Sequence, residues 1–400
     1  MNKNQFKSTS KQSILIVDFN AGNLITHHLN YVLTYAKFFS NYDIDFNLAL
    51  PKNCIKIEEL AKIQSHKILK SRYYRLNDKK YNFYMIWLKI VKTLKINESK
   101  LIKKIESYLE TYYLYISFRS ISKLTKSNSN VVIFFPSVDV MALKLATILT
   151  KFGFKNRIIL RINQLENFFN DSTRLDIVKV LSNLLVRNPN ILIGCETKIL
   201  IKFFRKSQIP QNKLYWAPLP FVERKKSINS KFYIGFLGSA KERKGFESIP
   251  EWLEKFSKTD KKIYFYVQGT KFPWLGYTDT LERLISNPKV EILPDVLSNE
   301  EFFLYMSKCN IVVLPYDKKS YKWGGSSLFF YAADFSLPVF TLSGLPFSAE
   351  VREFNCGLVI QSIEEIPNHM KFFTNDYYIN GINNFNEARI TSNLNLFESH

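Results

Sequence analysis

The sequence predicts an α/β chain of two consecutive doubly wound domains, and three observations carry that expectation. Short apolar, β-branched runs alternate with helical periodicity in both halves. A stretch with two prolines followed by charges, 216–231, interrupts the alternation once. The 400 residues also exceed the size at which one hydrophobic core stops growing. Strands alternating with helices build a parallel sheet covered on both faces. Two such halves put a cleft between them, with ligands expected beyond the carboxyl ends of the strands.

Residues 1–12 are polar and basic, lack the apolar stretch of a secretory leader, and are expected to be disordered. The run ILIVD at 14–18 is the first strand, closed by the turn-formers Asn20, Ala21 and Gly22, and apolar spacing over 24–39 predicts the helix behind it. A second strand is expected at 45–50, ending at Pro51. From about 55 to 125, Leu, Ile and aromatic residues interleave with lysine at spacings of three and four, which predicts a basic helical insertion. Between Lys52 and Lys126 stand 18 Lys/Arg against 6 Asp/Glu, a balance of +12 within a net charge of +21. Two readings stay open for it: helices whose lysines solvate an outer face, or a surface that meets an anionic membrane. Nowhere do about eighteen apolar residues run together, so no membrane span is expected. The basic residues alternate with Leu and Ile on helices and form no recognised nucleic-acid reader, so nucleic acid is not an expected partner.

VVIFF at 131–135, stopped by Pro136, precedes a helix at 138–149, and RIILR at 157–161 and ILIG at 191–194 repeat the pattern. The second series has strands at 233–237, 263–268, 290–293, 311–314, 339–342 and 358–360. The expected domains are therefore 13–222 and 232–380, with a linker at 223–231. The polar, Asn-rich segment 381–400 is a tail or a helix returning to the first domain. Cys54, Cys195, Cys309 and Cys356 are far apart without CxxC pairs, which indicates neither a disulfide framework nor a zinc site and makes a reducing cytoplasm the default.

Two loops of the second half can hold an anion. FLGSAKERKG at 236–245 joins strand to helix through a glycine-bounded loop with three cations in four positions, which offers amides, ammonium and guanidinium to a diphosphate; a solvated basic turn is the alternative. LPY at 314–316 and WGGSS at 323–327 lead into a helix at 328–334, where small residues leave amides open at the positive end of the dipole. There the alternative is helix capping by Ser326 or Ser327.

NIVVLPY at 310–316, GGSS at 324–327, SLPV at 336–339 and EVREFNCGLV at 350–359 together resemble the donor-binding half of the group 1 glycosyltransferases, over about 130 residues from Gly235 onward. DFNAGNL at 18–24 with His27 and His28, VVIFFPSVD at 131–139 and RIILRINQLE at 157–166 are similar to that family's first half. The likeness covers most of the chain except the basic insertion.

The resemblance implies the GT-B architecture, two Rossmann-like domains facing a cleft, and transfer of a sugar from a nucleotide-diphosphate sugar to a polysaccharide, lipid-linked or protein acceptor. It implies a hexosyltransferase-type enzyme in the cytoplasm or peripheral on the inner face of the membrane. Carried over by position, Lys244 contacts the donor diphosphate, with Gly238 shaping the loop. An arginine common in the family is replaced by Ser239, which leaves Arg243 as its substitute. Gly324, Gly325, Ser326 and Ser327 present amides to the distal phosphate, beside Tyr316. Residues 293–296, including Pro294, lie beside the nucleobase, and Glu350 lies near the ribose or sugar hydroxyls. Asn20, Gly22 and Asn23 face the acceptor. The family's paired glutamates are absent, their positions being held by Trp323 and Tyr331. That departure keeps open a catalytically degenerate member that acts as a glycan-binding or scaffold module without turnover.

Asp18, His27 and His28 are the candidates for acceptor-side proton handling, because histidine titrates near neutrality; a cap or a surface group is the alternative role for each histidine. With cations and a helix N-terminus available to a leaving diphosphate and no acidic DxD-type motif, neither a metal nor a cofactor is expected beyond the nucleotide sugar as co-substrate.

Overall fold

A computed structural model describes residues 13–21, 27–42, 44–51, 65–69, 98–125, 130–165, 168, 176–259, 262–269, 278–319, 321–371 and 373–398. By internal contacts the chain forms two compact units. The first comprises Met1–Ile162, Asn167–Gly194 and Phe204–Leu214; the second comprises Asn163–Glu166, Cys195–Phe203 and Tyr215–His400.

In the first unit, β1 (Ser13–Val17), α1 (His27–Asn41), β2 (Asp45–Pro51), β3 (Ser65–Leu69), α2 (Glu98–Thr125), β4 (Val131–Phe135), α3 (Val140–Lys151), β5 (Ile158–Ile162), α4 (Ile177–Arg187) and β6 (Ile191–Cys195) follow in order. After α5 (Lys198–Lys206) comes β7 (Leu214–Trp216). The sheet order is β3-β2-β1-β4-β5-β6-β7. β1 pairs in parallel with both β2 and β4. Every residue of β4, β5 and β6 is buried, as a central parallel strand covered on both faces requires. The chain goes first to one side of β1 and then to the other, so the strand order reverses between β1 and β4, the kind of switch point at whose carboxyl ends open α/β sheets bind ligands.

One expectation is corrected here. Within the stretch read as helical throughout, Ser65–Leu69 is a strand that pairs in parallel with β2, Leu48 opposite Ser65 and Leu50 opposite Lys67. The outer edge of β2 carries N–H and C=O groups that need partners, and satisfying them outweighs a local helical spacing. The rest of the insertion keeps its helix in α2, while 52–64, 70–97 and the N-terminal residues 1–12 lie outside the described residues.

The second unit has β8 (Phe232–Phe236), α6 (Ile249–Ser257), β9 (Ile263–Gln268), α7 (Thr278–Ile285), β10 (Val290–Leu293), α8 (Asn299–Lys308), β11 (Ile311–Leu314), α9 (Ser327–Asp334), β12 (Val339–Leu342), α10 (Ser348–Phe354), β13 (Gly357–Ile360), α11 (Ile366–Lys371) and α12 (Asn375–Glu398). Its sheet runs β10-β9-β8-β11-β12-β13, parallel at all five junctions. Phe236, Trp252, Phe256, Phe265 and Phe340 pack on one side of it. The order again reverses at the first strand, here between β8 and β11.

The proline-containing stretch read as the approach to a linker is held firmly. Prolines block regular pairing there, and polar side chains of α12 take the stranded carbonyls instead. Arg389, fully buried, donates to Leu219 O at 2.8 Å and Pro220 O at 3.0 Å, and Asn393 donates to Pro218 O at 3.1 Å. Arg389 also pairs with buried Asp334 at 2.9 Å. Further on, Ser227 is bonded to Ser307 through both backbone and hydroxyl. Among the described residues no helix is long and apolar enough to cross a membrane.

Candidate functional site

In the second unit the loops that leave β8 and β11 flank the strand-order reversal, and both carry residues singled out from the sequence. The first loop needs its glycines. Gly245 has φ +71°, and a Cβ there would stand 1.8 Å from Pro315 O, so only glycine lets the two loops meet. Gly238 has φ +105°, and a Cβ on it would stand 3.0 Å from Lys244 Nζ. The lysine therefore folds back over the glycine turn into a pocket lined by Leu237, Gly238, Ser239, Gln268, Pro315 and Tyr316. Burial, reinforced by the neighbouring cations Lys241 and Arg243, pushes the Lys244 ammonium down to about 8, with Asp295, alone among the described residues, pulling the other way. A cation enclosed among cations and short of negative partners is the electrostatic condition for taking up an anion.

Hydrogen bonds hold this loop in shape. Gln268, at the end of β9, accepts from Gly238 N at 2.6 Å and donates to Asp295 O at 2.8 Å, while Asp295 Oδ1 accepts from Ala240 N at 3.1 Å. The carboxyl ends of β8, β9 and β10 are thereby tied together. Pro294, between Leu293 and Asp295, is exposed beside them. Arg243 contributes its carbonyl to Asp317 N at 3.2 Å and holds its guanidinium 5.9 Å from the Tyr321 ring centre, so it braces one loop against the other.

The second loop is partly spoken for. Ser326 stands at the N-cap of α9 but makes no side-chain capping bond, because its hydroxyl is paired with Tyr316 OH at 3.0 Å. Ser327 is the first residue of that helix. Gly325 donates its N–H to Asn163 O at 3.0 Å and accepts from Tyr321 OH. A Cβ on Gly325 would stand 2.4 Å from the carboxyl carbon of Glu196, so a buried carboxylate packs directly on this glycine. Gly324 is buried beneath the Tyr321 ring. Glu350 is also buried: one carboxylate oxygen accepts from Lys198 N at 2.7 Å, and the other has no hydrogen-bond partner among the described residues. Burial raises the pKa of Glu350, and the bond from Lys198 N partly offsets that. Of the second-loop residues read from the sequence, the structure brings Tyr316, Gly324, Gly325, Ser326 and Ser327 together, and it sets Glu350 against the start of α5.

In the first unit, Asp18 and Asp139 follow the ends of β1 and β4 at the other reversal. Asp18 Oδ1 accepts from Asn20 N at 2.7 Å, and its Oδ2 lies 3.3 Å from His28 Nδ1. Asn20 Nδ2 donates to Asp139 Oδ2 at 2.9 Å, and Asp139 Oδ1 caps α3 through Ala142 N at 2.8 Å. Burial disfavours the His28 imidazolium, but Asp18, helped by Asp139, outweighs it and raises the histidine above its ordinary 6.5. With Nδ1–H directed to Asp18, the Nε2 of His28 is the nitrogen able to accept a proton. His27 opens α1, though its side chain, like Gly22 and Asn23, lies outside the described residues.

Sequence reasoning missed Gln268, Glu196 and Tyr321 as parts of these sites, and it placed Asp295, within 293–296, beside the nucleobase without its bond to the first loop. Gln268 and Asp295 carry a positional signal, since both fall at carboxyl ends of strands. Glu196 carries none, because its glycine partner is about 130 residues distant.

No family model matches the sequence, and no curated protein matches it. Solved structures match its fold. HepE of Anabaena in complex with UDP and glucose superimposes with a TM-score of 0.61 at 11% identity, over 97% of this chain and 99% of that one. The lipopolysaccharide outer core galactosyltransferase WaaB, in its apo form, gives 0.59 at 10% identity, over 96% and 98%. The sucrose-phosphate synthase of Thermosynechococcus elongatus gives 0.61 at 12%, over 96% of each. The fold is that of the GT-B glycosyltransferases, two Rossmann-like domains in one chain.

Proposed function

We propose that this chain is a glycosyltransferase that uses a nucleotide-diphosphate sugar without a metal ion and delivers the sugar to a polysaccharide, lipid-linked or protein acceptor. The observation that carries the proposal is Lys244: an ammonium folded into a pocket behind a glycine turn, depressed to about 8 and short of a counter-charge. A diphosphate supplies that charge. The fold shared with HepE, which was solved with UDP and with UDP-glucose, supports the same ligand class.

In the reaction the bond between the anomeric carbon and the diphosphate oxygen breaks, and the acceptor hydroxyl oxygen forms the new bond to that carbon. The bonding electrons leave with the diphosphate, where Lys244, Arg243 and the first turn of α9 with Ser326 and Ser327 offset the developing charge. Gly238, Tyr316, Gly324 and Gly325 shape the pocket, Pro294 borders the base, and Glu350 serves the ribose or sugar side. Asp18 orients His28, and His28 takes the acceptor's proton, with Asn20 holding the acceptor-side loop to Asp139. His27, Gly22 and Asn23 belong to the same proposed acceptor side.

Calorimetric titration with UDP, GDP, CMP and their sugar conjugates tests this reading, with Lys244→Ala as the control. Binding of a nucleoside diphosphate that Lys244→Ala weakens by roughly a hundredfold supports it. A folded protein that binds none of them refutes it and favours a glycan-binding module without turnover.

A further inference from the structure

On the first unit α2, α3 and α4 lie side by side, and apart from Asp139 and the exposed Asp176, which cap α3 and α4, their described side chains include no carboxylate. Residues 111–125, 140–157 and 177–190 contain eight Lys/Arg and no Asp or Glu. Six of the eight are exposed: Arg119, Lys123, Lys151, Lys155, Lys179 and Arg187. An ordinary solvated helix face mixes both signs, because like charges on neighbouring turns repel.

Large apolar side chains stand among these cations. Phe152 is 71% exposed and Val186 85%, and Tyr115 and Tyr112 are exposed at 50% and 38%. Phe152 follows α3 directly, ahead of Gly153, whose φ of +75° ends the helix in a tight turn. Its ring lies 4.9 Å from that of Phe118 on α2. The turn after α4 is fastened to the turn after α3: Asn188 Nδ2 donates to Phe154 O and Asn156 O, each at 3.2 Å, and Asn190 Nδ2 donates to Lys155 O at 2.9 Å. Phe152, Phe118 and the two fastened turns, beside which stand Lys151, Lys155, Val186 and Arg187, therefore form one connected patch, and Arg119 lies over the Tyr115 ring further along α2.

From this juxtaposition we infer that the α2–α3–α4 face docks on a membrane surface, with its cations on anionic phospholipid headgroups and Phe152, Val186 and the two tyrosines entering the interfacial layer. Cations alone would suit any polyanion. Exposed phenylalanine and valine beside them fit the boundary between headgroups and acyl chains, where an apolar body is buried while the charges stay in water. The inference does not depend on the glycosyltransferase reading, and donor titration of the same preparations keeps the two separable.

Co-sedimentation of the full chain with vesicles tests it. Binding is expected to vesicles of phosphatidylcholine with phosphatidylglycerol, not to phosphatidylcholine alone, and it should weaken as salt is raised. Removing two charges with Lys151→Gln/Lys155→Gln lowers the partition coefficient about thirtyfold, since each cation near an anionic surface contributes about fivefold. Phe152→Ser with the charges kept lowers it about tenfold, the loss of an apolar insertion. All three sites are on the surface, so the variants' thermal unfolding should match the parent, and donor binding should be unchanged. Equal binding to both vesicle types overturns the inference. So does Phe152→Ser without effect on vesicles while Lys151→Gln/Lys155→Gln weakens binding to double-stranded DNA, because the face would then serve a nucleic acid.

Discussion

Proton uptake on binding UDP is the sharpest consequence of the Lys244 environment. Burial and the flanking cations depress this ammonium to about 8, so near pH 8 about half of the ligand-free protein carries a neutral Lys244. A bound diphosphate favours the charged form and returns the group toward its ordinary 10.5. Near pH 8, where the terminal phosphate of UDP is already ionised, each UDP bound should then take up about half a proton through this lysine. Titrations in two buffers of different ionisation enthalpy read this number directly, as the slope of observed heat against buffer heat. Lys244→Ala should abolish the uptake and weaken UDP by about 3 kcal/mol, roughly a hundredfold, the cost of removing one partner of an enclosed charge pair. The reasoning fails if UDP binds at pH 8 with no proton uptake, or if the uptake survives the substitution.

Gly245→Ala should destabilise the second unit by about 2–4 kcal/mol and abolish donor binding, because φ +71° strains alanine and its Cβ would overlap Pro315 O; urea unfolding with a parallel UDP titration checks both effects. His28 should titrate above 6.5 by NMR, and Asp18→Asn should drop it, since burial then acts against the imidazolium with less opposition. A folded pKa above the unfolded one adds stability that is present below about pH 6.5 and lost as pH rises through the folded value, so Asp18→Asn should cost most on the acid side. Asp334 is pushed up to about 6 by burial, with Arg389 and Arg224 offsetting part of that. Its folded pKa exceeds the unfolded 3.8, so its protonation favours the fold and the associated stability declines as pH rises from about 4 to above 6. Thermal unfolding against pH should show that decline, and Asp334→Asn should flatten it; an equally steep variant curve would sink the assignment.

The residues alone determined the α/β class, the two series of strands and the loops at which an anion can sit. These features are local. A buried parallel strand must be a continuous apolar run, as VVIFF and ILIG are, and a tight strand-to-helix loop must contain glycine, as 236–245 does. What the tertiary structure decided involves partners distant in sequence. Ser65–Leu69 is a strand because β2 offers it an edge, a fact absent from its own five residues. The segment at 216–222 is clamped rather than slack because Arg389, about 170 residues away, donates to its carbonyls. Gly325 has its amide engaged by Asn163 and Glu196 packed against it, so at that glycine a loop that reads as an open anion cradle is closed, and only the helix start at Ser326 and Ser327 is left to the proposed phosphate role. Periodicity and turn chemistry record what a segment prefers by itself. Hydrogen-bond satisfaction and charge burial depend on which other segments the fold brings within about 3 Å, and one strand of text does not carry that information.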